Sequence, residues 1–501
     1  MSFVVDEVLV TRNPATGAEV GRVRCTPSDA VEEIVLRASK AQEGWSRTAW
    51  RERKRLLARW AGVLSREAES WVEVIRDEVG KPESEALAGD VIPTLDAVRW
   101  TIRNAPKALA DKRIGPGWQR FLLMPSGRLE WCPLGVIGII GTWNYPLFLN
   151  AAPIAQALAA GNAVVWKPSE LAIRVGQKIQ ESLEETGFPP DLVAAVYGGP
   201  EVGRALVGAE VNKGMFTGGI TAGRQVLSSL ASRGIPGIAE LSGFDPAIVL
   251  DDAPQESTVE ALTWAAFVGC GQTCVAVKRV YIVGDPSRWV SAFAARAREL
   301  VVGDPARRET DLGPMITASA RARFHEAVQA AVQAGARVCF GGRSSAGPGW
   351  FYAPTVLEAD GPEPETALAG AFGPCVLIRG VADEAAAVDA ANSSPYALAA
   401  SVWGRNRRKA RDVARRLHAG MVSVNEAVVP TAHAAAPFGG WKNSGYGRTH
   451  GALGIREFAQ TRVLFERHSG GFRPQLFPYA NTSSRVTRFL SLYRRIFHPA
   501  R

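Results

Sequence analysis

Two hydrophobic periods alternate along the chain. From Val31 to Val79 apolar residues recur at helical spacing among Arg and Glu (Leu56, Leu57, Trp60, Leu64, Trp71), and Gly80-Lys-Pro82 ends the run. Thr26-Pro-Ser-Asp29 reads as the start of this helical layer, with Thr26 as N-cap and Pro27 in first helical position. A further helical pattern covers Glu83 to about Ala110, and Arg120 to Cys132 alternates as a strand. Leu134-Gly-Val-Ile-Gly-Ile-Ile-Gly141 is a short continuous apolar run of the kind shown by a strand buried on both faces. The pattern then predicts helix over 151–160, 172–186 and 202–207, alternating with strand over 163–165, 192–197 and 213–216. A second series begins near Glu240, with strands predicted over 247–250, 279–283, 336–340 and 376–378, and helices over 286–301 and 318–334. Units of this length imply an α/β protein with two doubly wound parallel sheets and a boundary close to Glu240.

Length and composition agree. A chain of 501 residues suits two or three domains. The N-terminus is acidic and lacks a signal-peptide pattern, and no apolar run reaches the roughly 18 residues of a spanning helix, so the cytoplasm is the expected compartment. The six cysteines form no CxxC pair and no metal-ligand spacing with histidine, which predicts reduced thiols and no metal. The formal charge of +9 includes seven Arg, and no acidic residue, in 467–501, leaving 9 − 7 = +2 for the other 466 residues. A near-neutral body with a basic tail argues against nucleic acid as a partner.

Candidate chemistry centres on Cys274, just past a Gly-Gln turn in Phe267-Val-Gly-Cys-Gly-Gln-Thr-Cys274. A cysteine in an apolar segment is more often an inert core residue than a nucleophile, so it needs partners to count. None of the six histidines lies in a segment resembling a Cys-His dyad, which leaves a carboxylate as base. Glu240, just before a predicted buried strand, is the best candidate; the bland reading is a surface-loop Glu. Asn144, after the run ending at Gly141, offers an amide to an oxyanion or merely caps a turn. Lys167 binds a phosphate or ribose, or is simply solvated. Phe216-Thr-Gly-Gly-Ile-Thr-Ala-Gly223 passes from strand end to helix start through glycines, as a phosphate turn does, although its spacing is not GxGxxG.

In this order the pieces resemble the aldehyde dehydrogenase superfamily from about Asn13 to about Arg462. The carriers besides the Cys274 stretch include Pro133-Leu-Gly-Val136, Trp143-Asn-Tyr-Pro146, Trp166-Lys-Pro-Ser-Glu170, Phe216-Thr-Gly-Gly219, Glu240-Leu-Ser-Gly243, Phe372-Gly-Pro374 and Pro437-Phe-Gly-Gly-Trp-Lys-Asn-Ser-Gly-Tyr-Gly-Arg448. The resemblance implies oxidation of an aldehyde to a carboxylic acid, with Cys274 as nucleophile, Asn144 and the Cys274 amide as oxyanion donors, and Glu240 as the base for thioester hydrolysis. It implies a Rossmann-like cofactor domain over 1–239, a catalytic domain over 240–435, a return segment and oligomerisation strand over 436–466, and a basic tail over 467–501. A bridging β hairpin near 118–132, paired with a strand near 457–466, would build a homodimer or homotetramer. Trp143, Lys167, Glu170, Thr217, Gly218, Gly219, Gly223 and Phe372 would hold the cofactor, and the Glu170 carboxylate on the ribose favours NAD over NADP. Tyr145, Phe148, Cys270, Thr273, Val275 and Phe438 would wall the substrate pocket and suit an apolar or aromatic aldehyde.

Several positions depart from the family pattern. Gly370 stands where Glu usually bonds the nicotinamide ribose, leaving the ring more loosely held, or Glu365 or another group to substitute. Gly269, Gly219 and Ser242-Gly-Phe244 replace an Asn, a Ser and a Gly-Gly-Lys, and Thr449 stands where many members carry Glu. These departures sustain an alternative, a degenerate member acting as a scaffold or adaptor; a CoA-acylating enzyme is disfavoured by Glu240, which such members generally lack. In the tail, Val486, Phe489, Leu490, Tyr493, Ile496 and Phe497 fall on one helical face flanked by Arg. Docking on protein is the preferred reading of this helix, and contact of 483–497 with a membrane surface the other.

Overall fold

A computed structural model describes residues 4–5, 7–117, 126–345, 347–466 and 482–497. Two compact units result, one comprising 1–108 with 133–460 and the other 109–132 with 461–501. The division near Glu240 separates two sheets but not two compact units.

In the larger unit the N-terminal helical layer is three helices, α1 (Ala30–Arg47), α2 (Trp50–Arg66) and α3 (Ala68–Val79), whose inward faces bury Trp45, Trp60 and Trp71. Thr26 is not the cap of α1, which begins four residues later. Thr26 instead pairs with Tyr197, its hydroxyl accepting from the Tyr197 amide at 3.0 Å and its amide donating to the Tyr197 carbonyl at 2.7 Å.

The first sheet contains β1 (Val136–Ile140), β2 (Ala163–Lys167), β3 (Val193–Ala195), β4 (Lys213–Thr217) and β5 (Gly237–Glu240), joined by α4 (Phe148–Ala159), α5 (Ile173–Thr186), α6 (Pro200–Gly208) and α7 (Ile220–Ser232). Its spatial order is β5-β4-β1-β2-β3, all parallel. The chain therefore leaves β1 on one side and returns on the other, and the crevice beyond the carboxyl end of β1 is a topological switch point, where such sheets bind ligands. Asn144 lies four residues past that end.

The second sheet contains β6 (Asp245–Val249), β7 (Val277–Val283), β8 (Arg337–Phe340), β9 (Thr355–Glu358), β10 (Cys375–Val381), β11 (Ala399–Trp403) and β12 (Met421–Val424). Its order is β8-β9-β10-β7-β6-β11-β12, parallel except for β8. α8 (Gln255–Phe267) precedes β7, and Cys274 sits in the loop between them. The short strand β13 (Gly445–Tyr446) returns from beyond β12 to pair antiparallel with β5, Gly445 opposite Glu240.

In the smaller unit, Lys112–Ile114 pairs antiparallel with Gly127–Pro133, and the strand Ala459–Phe465 flanks the latter at the sheet edge. The expected hairpin over 118–132 thus uses a partner further upstream, and its residues 118–125 lie outside the described residues. The amphipathic tail forms α9 (Thr482–Phe497), with Leu490, Leu492, Ile496 and Phe497 exposed; 467–481 lie outside the described residues. Among the described residues no helix is long and apolar enough to cross a membrane, and no group of three or more His, Cys, Asp or Glu could hold a metal ion.

Candidate active site

The loop from α8 to β7 contains three consecutive left-handed residues, Gly269, Cys270 and Gly271, at φ of 65°, 53° and 62°. A side chain at Gly271 would stand 2.2 Å from the Gly373 carbonyl oxygen, so this tight reversal requires glycine there. Two charged side chains clamp the loop from outside. Lys278 Nζ donates to the carbonyls of Gly271 (2.8 Å) and Gly373 (2.6 Å), and Glu85 Oε1 accepts from the Gly269 amide at 2.8 Å. Burial lowers the Lys278 pKa to about 8 and raises that of Glu85 to about 7. Neither residue is marked by its sequence surroundings; only the tertiary contacts reveal the clamp.

Cys274 is part-exposed and lines an apolar cavity of about 350 Å³. Burial, then the Glu240 and Asp245 carboxylates, push its thiol well above the ordinary range, while its own and the Val275 amides pull the other way. The resting side chain is therefore a thiol. Five of the six expected walls, Tyr145, Phe148, Thr273, Val275 and Phe438, line the cavity. Cys270 does not. It is buried among Phe244, Met315, Phe324 and Cys375, a core position that corrects the expectation. The walls missed by pattern reading include Trp264 and His450. His450 stacks between Phe148 and Phe438 at 5.1 and 5.8 Å, and burial lowers its pKa to about 4, which keeps it neutral.

Asn144 is buried, with its Oδ1 accepting from Thr142 Oγ1 (2.9 Å) and its Nδ2 donating to the Gln272 carbonyl (3.1 Å). An amide nitrogen carries two protons, so one remains for an oxyanion. The segment after Asn144 is fixed by Asp90, which accepts from the Leu147 and Phe148 amides and pairs with Lys81 at 2.7 Å in a buried ion pair. Lys81 lines the cavity, but its charge is engaged by Asp90 and by the Tyr145 ring, 3.5 Å below it.

Glu240 is no surface-loop residue. It ends β5 with 5% of its surface exposed, and burial pushes its pKa up to about 7 against the opposing pull of the Thr449 hydrogen bond and the Arg448 charge. Lys167 is likewise not solvated: it is buried at the end of β2, donating to Glu170 (3.1 Å) and to the Pro168 carbonyl (3.2 Å).

The residues at the switch point fit a dinucleotide. Helix α7 starts at Gly219 with no side-chain cap, so its first amides have no side-chain acceptor, and a Cβ on Gly219 would meet nothing within 4 Å. Thr217 and Gly218 lead into that turn, and Trp143 meets Phe372 edge-on at 5.8 Å. Gly223 is a correction: it lies inside α7, where a Cβ would stand 2.3 Å from Leu241, so its smallness serves packing rather than a phosphate. Glu365 is also unavailable as a replacement anchor at Gly370, because Arg279 (2.8 Å), Arg379 (3.5 Å) and the Tyr281 hydroxyl (2.7 Å) hold it.

Residues 5–464 match the model of the aldehyde dehydrogenase family. A putative succinate-semialdehyde dehydrogenase [NADP(+)] of Mycolicibacterium smegmatis is 34% identical, over 90% of this chain and 87% of its own. A 4,4'-diapolycopene aldehyde oxidase of a Methylomonas species is 31% identical over 93% and 88%. The crystal structure of a Mycobacterium tuberculosis aldehyde dehydrogenase complexed with NAD+ superposes with a TM-score of 0.89 at 28% identity, covering 93% of this chain and 96% of that one. The scaffold alternative finds no support in these relatives, and the chain belongs to the aldehyde dehydrogenase family.

Proposed function

We propose that the protein oxidises apolar aldehydes to carboxylic acids with NAD, using Cys274, Asn144 and Glu240. The observation that carries this reading is the place of Cys274 in the wall of an apolar cavity, with Asn144 supplied by the loop after β1 and Glu240, close enough to act on the thiol by charge, by the end of β5. Cys274 Sγ adds to the aldehyde carbon as its thiol proton passes through water to Glu240, which gives it up to solvent before hydrolysis, and the spare Asn144 N–H with the Cys274 amide receives the resulting oxyanion. NAD, when bound, supplies the hydride acceptor that converts the thiohemiacetal to a thioester. Glu240 then takes a proton from water as the water oxygen attacks the thioester carbon; the C–S bond breaks, releasing the acid and restoring Cys274. Lys167 and Glu170 would hold the adenosine ribose, where the Glu170 carboxylate repels a 2′-phosphate and so favours NAD.

An aldehyde panel run with NAD and NADP in parallel tests this. Each methylene buried in the cavity contributes about 0.8 kcal/mol, so kcat/KM should rise roughly fourfold per methylene until the cavity is full. A semialdehyde of equal length should fall at least about a hundredfold below its uncharged analogue, because its carboxylate is desolvated and Lys81 is already paired. A carboxylated semialdehyde as best substrate would overturn the apolar assignment, and absence of both turnover and NAD binding would overturn the enzyme.

The strand Ala459–Phe465 presents exposed Val463, Leu464 and Phe465 at a sheet edge, an arrangement suited to pairing with a second copy. A native mass of at least two chains is expected, falling toward one in Leu464→Lys; an unchanged assembly in that variant would exclude this edge.

A further inference from the structure

We propose that Thr449 is the positioning residue of the general base: its hydroxyl, donating to Glu240 Oε1, favours the ionised form of that carboxylate and orients it for the water that deacylates Cys274. This rests on Glu240 being the base, as assigned above.

The backbone explains why the hydroxyl is in place. β13 pairs with β5 so that Gly445 lies opposite Glu240. Just beyond Glu240, the Leu241 amide donates to the Ser444 carbonyl (3.1 Å) and Ser444 Oγ donates to the Ser242 carbonyl (2.8 Å). Five residues past Ser444, Thr449 exchanges two backbone hydrogen bonds with Phe438, each 2.8 Å, and Phe438 is itself a cavity wall. The segment from Ser444 to Thr449 is therefore stitched at both ends, and Thr449 is buried with 3% of its surface exposed. A β-branched side chain has few rotamers, which narrows the directions its hydroxyl can take.

Chemically, a hydroxyl proton given to a carboxylate favours the anion over the acid and pins one oxygen, leaving the other for water. Two other ionisable groups bear on Glu240. The Arg448 guanidinium, on the same segment, favours the anion by charge, but its Nη1 is directed at the Gly440 and Gly447 carbonyls. The Cys274 thiol, on the catalytic loop, is coupled to Glu240 by mutual repulsion once it ionises. Thr449 is thus a direct hydrogen-bond donor in a site where burial alone would neutralise the base.

Ester hydrolysis tests the proposal without NAD or the correct aldehyde. p-Nitrophenyl acetate transfers its acetyl group to Cys274 Sγ with release of p-nitrophenol, and water then hydrolyses the thioester with Glu240 as base. In Thr449→Val, which keeps the shape and removes the proton, the acid limb of deacylation should move upward by about one pH unit or more, the scale of a hydrogen bond to a charged group. In Thr449→Ser, which keeps the proton, the limb should return toward its original position. The infrared carbonyl band of the protonated carboxyl, identified as the band lost in Glu240→Gln, should titrate with the same displacement. An unmoved limb and band in Thr449→Val would overturn the proposal, and equal displacement in Val and Ser variants would reduce Thr449 to packing. If the ester fails to acylate Cys274, the assigned chemistry falls, while the infrared titration still decides whether Thr449 controls Glu240.

Discussion

Cys274→Ala abolishes aldehyde oxidation, with turnover falling by roughly 10⁴-fold or more, the scale of losing a nucleophile that acts as one unit with its base and oxyanion donors. The fold should survive, because Cys274 is part-exposed on a loop held by Lys278 and Glu85, neither of which touches its sulfur in doing so. NAD affinity and thermal melting should therefore stay close to those of the parent, separating lost chemistry from lost structure. Cys270→Ala is the matched control. The Cys270 side chain is in the core with Phe244 and Phe324, so the change should lower the melting temperature slightly and leave the order of preferred aldehydes untouched. NADH absorbance with the aldehyde panel reads both variants. Oxidation surviving in Cys274→Ala, or lost in Cys270→Ala alone, would reassign the nucleophile.

Glu240→Gln stalls the enzyme one step later. Hydride leaves the aldehyde before water is needed, so rapid mixing should give a burst approaching one NADH per site, followed by turnover slowed about 10²- to 10⁴-fold. Intact-protein mass spectrometry should then show the chain heavier by one acyl group. The pH dependence has a definite sign. Burial raises the Glu240 pKa from the carboxylate range to about 7, so the proton-accepting form grows as pH rises through 7, and deacylation in the parent should climb over that interval. The climb should vanish in the variant. Removing the same carboxylate also removes one cause of the raised Cys274 pKa, so Cys274 alkylation in the variant should be faster at a given pH. A variant with no burst, or with undiminished turnover, would show that Glu240 does not serve the hydrolysis.

The depth of Lys167 and Glu240 was decided only in three dimensions, although both were visible as candidates. Lys167 ends a strand whose residues are all buried, and Glu240 ends β5 under the returning strand β13. Gly223 shows the opposite failure, since a glycine beside a phosphate turn is indistinguishable by position from one that clears Leu241. Cys270 failed for a related reason: adjacency to the catalytic turn places it near Cys274 in the chain, but the fold packs it into a buried cluster with Phe244 and Phe324.

By itself the sequence determined the alternation of strand and helix, the series of buried strands and the family, and it singled out Cys274, Asn144 and Glu240 as candidates, because these depend on local periodicity and on ordered motifs. Tertiary structure alone decided the contacts between segments far apart in the chain: Thr449 on Glu240, Lys278 between Gly271 and Gly373, and Asp90 on both Lys81 and the amides beyond Asn144. The physical reason is that burial and hydrogen bonding set the charge state and direction of each reactive group. Both depend on which distant residues the fold brings within about 3 Å, a distance set by hydrogen-bond geometry and invisible to any local pattern.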